Sequence, residues 1–333
     1  VATIDPGRLT VSVALCTRNG AAFVEAQLES ILTQSRLPDE VIISDDASTD
    51  STLEVVRATW ARLAIGPGAP ILRVISNETP LGVVENFEQA TLACTSDLIA
   101  LSDQDDIWLP GRLETMTARF DLDPSLDLLF SDAALIDAEG RPFGSLFAAL
   151  EVDQEDLIQI RGEAAFAVLL RRNLVTGATA IVRRGLVDRA APFASTWVHD
   201  EWLAIVAAAT SRIDWLSEQL VEYRQHGSNQ IGVAMPSLRY KIRRVLEPRG
   251  DRYANLLARS EELLDRLRAL GVEAHILALA EGKVAHDRFR AGLPIGRLAR
   301  IIPVLRSARS GAYARYCSRK RLDILRDLLQ PQA

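Results

Sequence analysis

The chain has 333 residues, 48% hydrophobic and 25% charged, which excludes a disordered or fibrous polypeptide and leaves room for one large domain with a smaller appendage. No run of about 18 apolar residues occurs, so no membrane span is expected, and residues 1–10 lack a basic segment followed by an apolar core, so no signal peptide is expected. The net charge of −6 conceals an asymmetry, since residues 1–236 carry 17 Lys+Arg against 34 Asp+Glu while residues 237–333 carry 21 against 10. Two parts with different partners are expected. Cys16, Cys94 and Cys317 are odd in number, far apart and without metal-ligand spacing, and read as free thiols of a reducing cytosol.

In chain order, Leu9 to Cys16 alternates and is β-branched, as a strand should be, and runs into Thr17-Arg18-Asn19-Gly20. A helix follows with Val24, Leu28, Ile31 and Leu32 on one face. Val41 to Ile43 is a second buried strand ending in Ser44-Asp45-Asp46-Ala47-Ser48-Thr49-Asp50, where Ser48 or Thr49 can cap a helix from Leu53 to Leu63. Ile71 to Ile75 gives a third strand and Val84 to Ala93 a third helix. Leu98 to Leu101 is a fourth strand, which delivers Ser102-Asp103-Gln104-Asp105-Asp106-Ile107-Trp108, and a helix is expected to start near Pro110. Strand and helix alternate four times with short connections, which predicts a doubly wound, mostly parallel sheet that binds its ligand at the carboxyl ends of the strands.

The functional groups obey that rule: Thr17 and Arg18 end the first strand, Asp45 and Asp46 the second, and Asp103, Asp105 and Asp106 the fourth. Two carboxylates about 4 Å apart repel by roughly 1 kcal/mol in water and about 4 at an effective dielectric near 20. A divalent cation such as Mg²⁺ or Mn²⁺, which takes oxygen ligands, would relieve that repulsion. A solvated acidic turn capping the next helix also fits Asp103 to Asp106, and a hydrogen-bonded turn also fits Asp45 and Asp46. No G-x-G-x-x-G follows the first strand and no G-x-x-x-x-G-K occurs, which argues against a dinucleotide or P-loop site.

Beyond residue 120 the alternation breaks. Leu128 to Asp132 and Ala134 to Ile136 read as two strands, Gln154 to Arg172 as one helix, and Thr179 to Val182 as a strand. Asp200 and Glu201 open an apolar helix, where acids are also ordinary complements of the helix dipole. Ile213 to Leu216 and Leu220 to Tyr223 are short strands, and the second delivers Arg224-Gln225-His226-Gly227-Ser228-Asn229-Gln230. His226 there is a candidate metal or phosphate ligand, although a single histidine is also commonly structural.

Five ordered motifs over the first 230 residues, around Thr17-Arg18, Asp45-Asp46, Asp103-Gln104-Asp105-Asp106, His199-Asp200-Glu201-Trp202 and Tyr223-Arg224-Gln225-His226, resemble the signature of family 2 glycosyltransferases with the GT-A fold. The S-D-Q-D-D-I-W and Y-R-Q-H-G forms are similar to the branch labelled rhamnosyltransferase-like, which builds bacterial surface polysaccharides. The resemblance implies that Thr17 and Arg18, with Asp45 or Asp46, hold the nucleoside of a nucleotide-sugar donor, dTDP- or UDP-linked. It implies that Asp103 and Asp105 form the D-x-D pair, with Asp105 on the metal and Asp106 in support. It also implies that Asp200 is the general base and that His226 is an additional metal or phosphate ligand. Two positions depart from the pattern: Arg18 stands where a Tyr is usual, and His199 where Glu is common. The implied function is inverting, metal-dependent transfer of a sugar, rhamnose being one candidate, to a glycan or lipid-linked glycan acceptor. A nucleotide-sugar-binding scaffold and a sugar nucleotidyltransferase are the alternatives.

From residue 237 onward no further strand is evident. Tyr253, Leu256, Leu257, Leu263, Leu264, Leu267 and Leu270 share one helical face that Gly271 can end, and helices are expected over 273–290, 295–307 and 312–329. This basic region is expected either to pack as a bundle or pair two subunits, or to touch a membrane surface. In the latter case Ile295, Leu298, Ile301, Ile302 and Leu305 oppose Arg297, Arg300, Arg306 and Arg309. No nucleic-acid partner is expected. The location expected is cytoplasmic, at the inner face of the cell membrane if that contact is made.

Overall fold

The computed structural model describes residues 8–226 and 247–331. The described chain divides into two compact units, one holding residues 8–157, 175–207 and 211–226 and the other residues 158–174, 208–210 and 247–331. The boundary expected at residue 236 and the motif residues Gly227 to Gln230 lie outside the described residues.

In the first unit the apolar runs become the middle of one sheet. β1 (Val11–Thr17), β2 (Glu40–Asp45) and β4 (Leu98–Ser102) are buried along their whole length, as strands covered on both faces must be, while β3 (Ile71–Ser76) at the edge is partly exposed. The remaining strands are β5 (Ile107–Trp108), β6 (Leu126–Ile136), β7 (Pro142–Ser145), β8 (Ala180–Arg183) and β9 (Arg212–Arg224). The order is β3-β2-β1-β4-β8-β6-β9-β5, with β7 on β6. Strands β1 to β4, β6 and β9 share one direction, and β5, β7 and β8 run against them. The chain leaves β1 toward β2 and β3, then returns to the other side of β1 as β4. That reversal opens a crevice at the carboxyl ends, where Thr17 is level with Asp45 and Leu15 with Ser102.

Helix α1 (Val24–Leu32) buries Val24, Leu28 and Ile31 completely, the face its spacing predicts. Helices α2 (Thr52–Leu63) and α3 (Val83–Ala93) complete the alternation. Neither Ser48 nor Thr49 caps α2: Asp50 accepts the Thr52 N–H at 3.0 Å, and Ser48 is drawn to Asp45. The helix expected near Pro110 does form. Ile107-Trp108 is first spent on β5, antiparallel to β9, and α4 (Arg112–Leu122) begins two residues after the proline. The two strands read at 128–136 are one strand, as are the two read at 213–223. Both apparent breaks fall where the β6–β9 register shifts, with Ser131 facing Leu216 and Asp132 facing Gln219.

The helix read over 154–172 is two, α5 (Leu146–Ala149) being followed by α6 (Gln154–Ile160) and α7 (Ala165–Arg171) with Gly162 between them. Helices α8 (Arg184–Ala190) and α9 (His199–Thr210) follow. The second unit carries α10 (Arg252–Leu270), α11 (Ala274–Ala291), α12 (Arg297–Arg309), α13 (Ala312–Tyr316) and α14 (Lys320–Leu329), the expected last helix being broken at 317–319. Gly271 ends α10 with φ +64°, a conformation that glycine takes without the Cβ penalty. No described helix is long and apolar enough to cross a membrane.

Candidate active site

Two strand ends and one glutamine assemble the first wall of the crevice. The Thr17 hydroxyl donates to Asp45 Oδ1 at 2.7 Å, and Ser48 gives the same carboxylate its N–H at 2.9 Å and its hydroxyl at 2.6 Å. Asp45 is fully buried, so its charge holds the two loops together. Asp46 is turned the other way. It receives Arg18 Nη1 at 3.2 Å and the N–H of Gly82 at 3.1 Å, and the Arg18 side chain keeps 41% of its surface exposed toward any ligand. Gln104 closes the wall, accepting the Arg18 N–H at 2.8 Å and donating back to the Arg18 carbonyl at 3.1 Å. A Cβ on Gly20 would stand 2.1 Å from Gln104 Oε1 and would push that amide aside.

The acids after β4 meet the end of β9. β5 pairs with β9, and this brings residues 103–106 against Arg224 and His226. The Arg224 N–H donates to Asp106 Oδ1 at 3.0 Å, and its guanidinium donates to the carbonyls of Asp105, Asp137 and Ala138. Asp106 is buried, and its Oδ2 has no partner among the described residues. Burial first, then the charges of Asp103 and Asp105, raise its proton affinity far above the carboxylate range, and the Arg112 charge opposes this weakly. Burial, then Asp105 and Asp200, likewise push Asp103 up to about 8. These groups lie close enough to feel one another. The Cys16 thiol is raised by burial and then by Asp103 and, more weakly, Cys94 and Asp46, so it lies within reach of acids from both walls.

Asp105 Oδ2 and His226 Nε2 stand 2.8 Å apart, and the His226 ring stacks on Phe23 at 4.7 Å. Among the described residues no set of three or more His, Cys, Asp and Glu side chains is gathered to hold an ion. A carboxylate and an imidazole beside an unpartnered buried carboxylate oxygen nevertheless fit a divalent cation that draws its other ligands from water and a diphosphate, which is the habit of Mg²⁺.

Asp200, in the first turn of α9, lies near enough to Asp103 for its charge to be felt there. Its Oδ2 accepts the Gly177 N–H at 2.8 Å and its Oδ1 the Glu201 N–H at 2.6 Å. Burial nonetheless lifts its pKa to about 6, against the pull of those two donors. The Tyr223 hydroxyl is raised by burial and then by Asp103, Asp106, Asp105 and Asp200, so one buried phenol senses all four acids. His199 lies flat on Phe87, 3.7 Å between ring centres and 9° between planes, with neither ring nitrogen partnered among the described residues. Burial lowers its pKa to about 3, so the ring is neutral. A Cβ on Gly177 would come within 2.8 Å of His199 Nε2 and 3.7 Å of Asp200 Oδ2.

Thr17, Arg18, Asp45, Asp46, Asp103, Asp105, Asp106, Asp200 and His226 all fall within one unit, Arg18 being joined to Asp46 and to Gln104, Asp105 to His226, and Asp103 lying near Asp105 and Asp200. Sequence reasoning gave no part in the site to Gln104, Gly177 and Arg112, and read Ser48 only as a helix cap. Gln104 had the form of a spacer inside an acidic motif, and Gly177 that of a strand border. Arg112 is completely buried at the start of α4, stacks 3.7 Å from the Trp108 ring centre and donates to the Ala178 carbonyl at 3.0 Å, so it links the acidic strand end to the Gly177 turn. Among these, only the unsuitability of a bare charge for a buried helix start could have flagged Arg112 in advance.

The family described as Glycosyl transferase family 2 matches residues 12–175. Among curated proteins, the uncharacterized protein MT1568 of Mycobacterium tuberculosis is 34% identical over 131 residues, 39% of this chain and 38% of that protein. The chain spans between 38% and 59% of the length of the first mycobacterial relatives it matches. The UDP-Glc:alpha-D-GlcNAc-diphosphoundecaprenol beta-1,3-glucosyltransferase WfgD of Escherichia coli is 24% identical over 281 residues, 82% of this chain and 98% of that one. Among solved structures, S. aureus TarS 1-349 in complex with UDP-GlcNAc superposes with TM-score 0.53 at 18% identity, covering 96% of this chain and 90% of that chain, which establishes a shared fold.

Proposed function

We propose that this chain, which belongs through residues 12–175 to glycosyl transferase family 2, transfers a sugar from a nucleotide-sugar donor to a hydroxyl of a glycan acceptor with inversion, in the synthesis of a bacterial surface polysaccharide. The observation that supports the reading is that Asp103 lies near enough to Asp105 and Asp200 to feel both charges, while Asp105 meets His226 at 2.8 Å. A donor-binding scaffold would have no use for a buried carboxylate oriented by two backbone N–H groups and near enough to Asp103 to raise its proton affinity.

Arg18 and Asp46 form the nucleoside wall, with Thr17 and Asp45 holding it in place. Asp103 is then free to meet the ribose. Asp105 and His226 would hold Mn²⁺ or Mg²⁺, and Asp106 backs them. The ion, when bound, supplies positive charge to the departing diphosphate. Asp200 takes the proton of the acceptor hydroxyl as its oxygen bonds to the anomeric carbon, and the sugar–phosphate bond breaks, releasing nucleoside diphosphate. Both Asp200 oxygens already accept backbone N–H groups, so the carboxylate is held in orientation and a remaining lone pair receives the proton.

UDP- and dTDP-sugars are the donors favoured, dTDP-rhamnose among them on the strength of the S-D-Q-D-D-I-W motif. A lipid-linked glycan at the cytoplasmic face of the membrane is the acceptor favoured, in keeping with the diphosphoundecaprenol substrate in the name of WfgD. Thermal shift against a panel of UDP-, dTDP- and GDP-sugars with Mg²⁺ or Mn²⁺ identifies the donor, since a ligand at 100 times its Kd stabilises by about 2.7 kcal/mol. Calorimetric titration of that donor into Asp105→Ala should lose the metal-dependent part of the affinity. Donor binding that ignores both the ion and the substitution overturns the metal assignment, and absence of product with every donor and acceptor overturns the transferase.

A further inference from the structure

Helix α12 (Arg297–Arg309) is two-sided in an unusual way. Its inner side is complete: Val304 is fully buried in a cluster with Leu293, Tyr313 and Cys317. Arg300, expected among the surface arginines, is instead fully buried and donates to the carbonyls of Pro294, Ile295, Asp327 and Gln330. Its outer side carries Leu298, Ile301, Ile302 and Leu305, at the i, i+3, i+4, i+7 spacing of one helical face, and Ile295 precedes them. Their exposures are 85%, 40%, 62% and 42%, with Ile295 at 74%. A contiguous apolar stripe of this kind on a folded surface marks a contact with something else.

The charge around it says what. Between residues 291 and 331 there are nine Lys or Arg and two Asp or Glu, and both acids, Asp323 and Asp327, are buried. Every exposed charged side chain in that segment is positive, including Arg297, Arg306 and Arg309 on α12 itself. A second copy of the chain meeting this stripe about a two-fold axis would bring arginine against arginine. An anionic partner with an apolar interior has the complementary character. We propose that α12 is a membrane-surface helix: Leu298, Ile301, Ile302 and Leu305 enter the outermost acyl region of a bilayer, and Arg297, Arg306 and Arg309 lie among anionic headgroups. This assignment is independent of the transferase reading, because no residue of the crevice takes part in it.

The test is co-sedimentation of the full chain with vesicles of phosphatidylcholine alone, or with about one third phosphatidylglycerol. Binding to the anionic vesicles, weak binding to the neutral ones and release by high salt are expected. Leu298→Asp with Ile302→Asp should reduce binding by roughly ten-fold or more, and Arg306→Glu and Arg309→Glu by at least about five-fold each. All four positions are exposed, so far-ultraviolet dichroism and melting should match the unaltered protein. Failure to bind anionic vesicles, or equal binding by the aspartate variant, overturns the proposal. So does a mass by light scattering that falls from dimer to monomer in that variant without vesicle binding, which would assign the stripe to a second copy.

Discussion

Both units bury carboxylates, and what surrounds those carboxylates differs in kind. In the helical unit Asp327 is completely buried, and its oxygens accept the Tyr253 hydroxyl at 2.5 Å, the Tyr313 hydroxyl at 2.6 Å and Arg290 Nε at 2.8 Å. Burial would raise its pKa, but Arg290 and the two phenols outweigh that and hold it below the usual carboxylate value. One acid thereby joins α10, α11, α13 and α14. In the sheet unit Asp106 takes one backbone N–H, from Arg224, and keeps an unpartnered oxygen among the described residues, and the proton affinities of Asp103 and Asp106 run high. A satisfied buried charge is part of a scaffold. An unsatisfied cluster at the mouth of a sheet is disposed toward a cationic or phosphate-bearing ligand.

That contrast can be broken from either side. The largest effect is expected at Asp200: Asp200→Asn should bind donor almost as before and lose about 10² to 10⁴ in kcat. A comparable loss of donor affinity would mean that Asp200 belongs to the binding wall instead. Asp327→Ala comes next. It leaves Arg290 buried without its main partner and should destabilise the fold by about 3–5 kcal/mol in chemical denaturation, with turnover per folded molecule retained. A drop in turnover at unchanged stability would erase the distinction between the two kinds of acid.

Gly177→Ala sharpens the comparison within the sheet unit. The new methyl must displace His199 or shift the turn whose N–H orients Asp200, and misplacement by about 1 Å costs about 10² in rate. Donor Kd, read by calorimetry, should stay the same. The smallest effect is in the pH profile. With its pKa raised to about 6, Asp200 is the active base above that value and is protonated below it, so kcat should fall about ten-fold for each pH unit below 6. In stability the sign is opposite. Burial favours the protonated form, so the Asp200 contribution to folding is full below the unfolded value near 3.8 and is lost as pH rises through about 6.

The alternation of four strands and helices, the acids at three strand ends and the glycine stop of α10 were legible in the residues themselves. They rest on local rules: the apolar period, a strand's burial on both faces, and the charge a buried strand can carry only at its end. The sequence could not yield what depends on residues far apart in the chain. Gln104 meets Arg18 from 86 residues away and His226 meets Asp105 from 121, because β5 pairs with β9 and the sheet reverses beside β1. Arg300 looks from its spacing like a surface charge, and only the carbonyls at the end of α14 and just before α12 draw it inside. Local pattern therefore determined which elements form and which side chains carry chemistry. Long-range pairing decided which of those side chains face one another, since the free energy of burying a charge depends on partners that spacing alone does not specify.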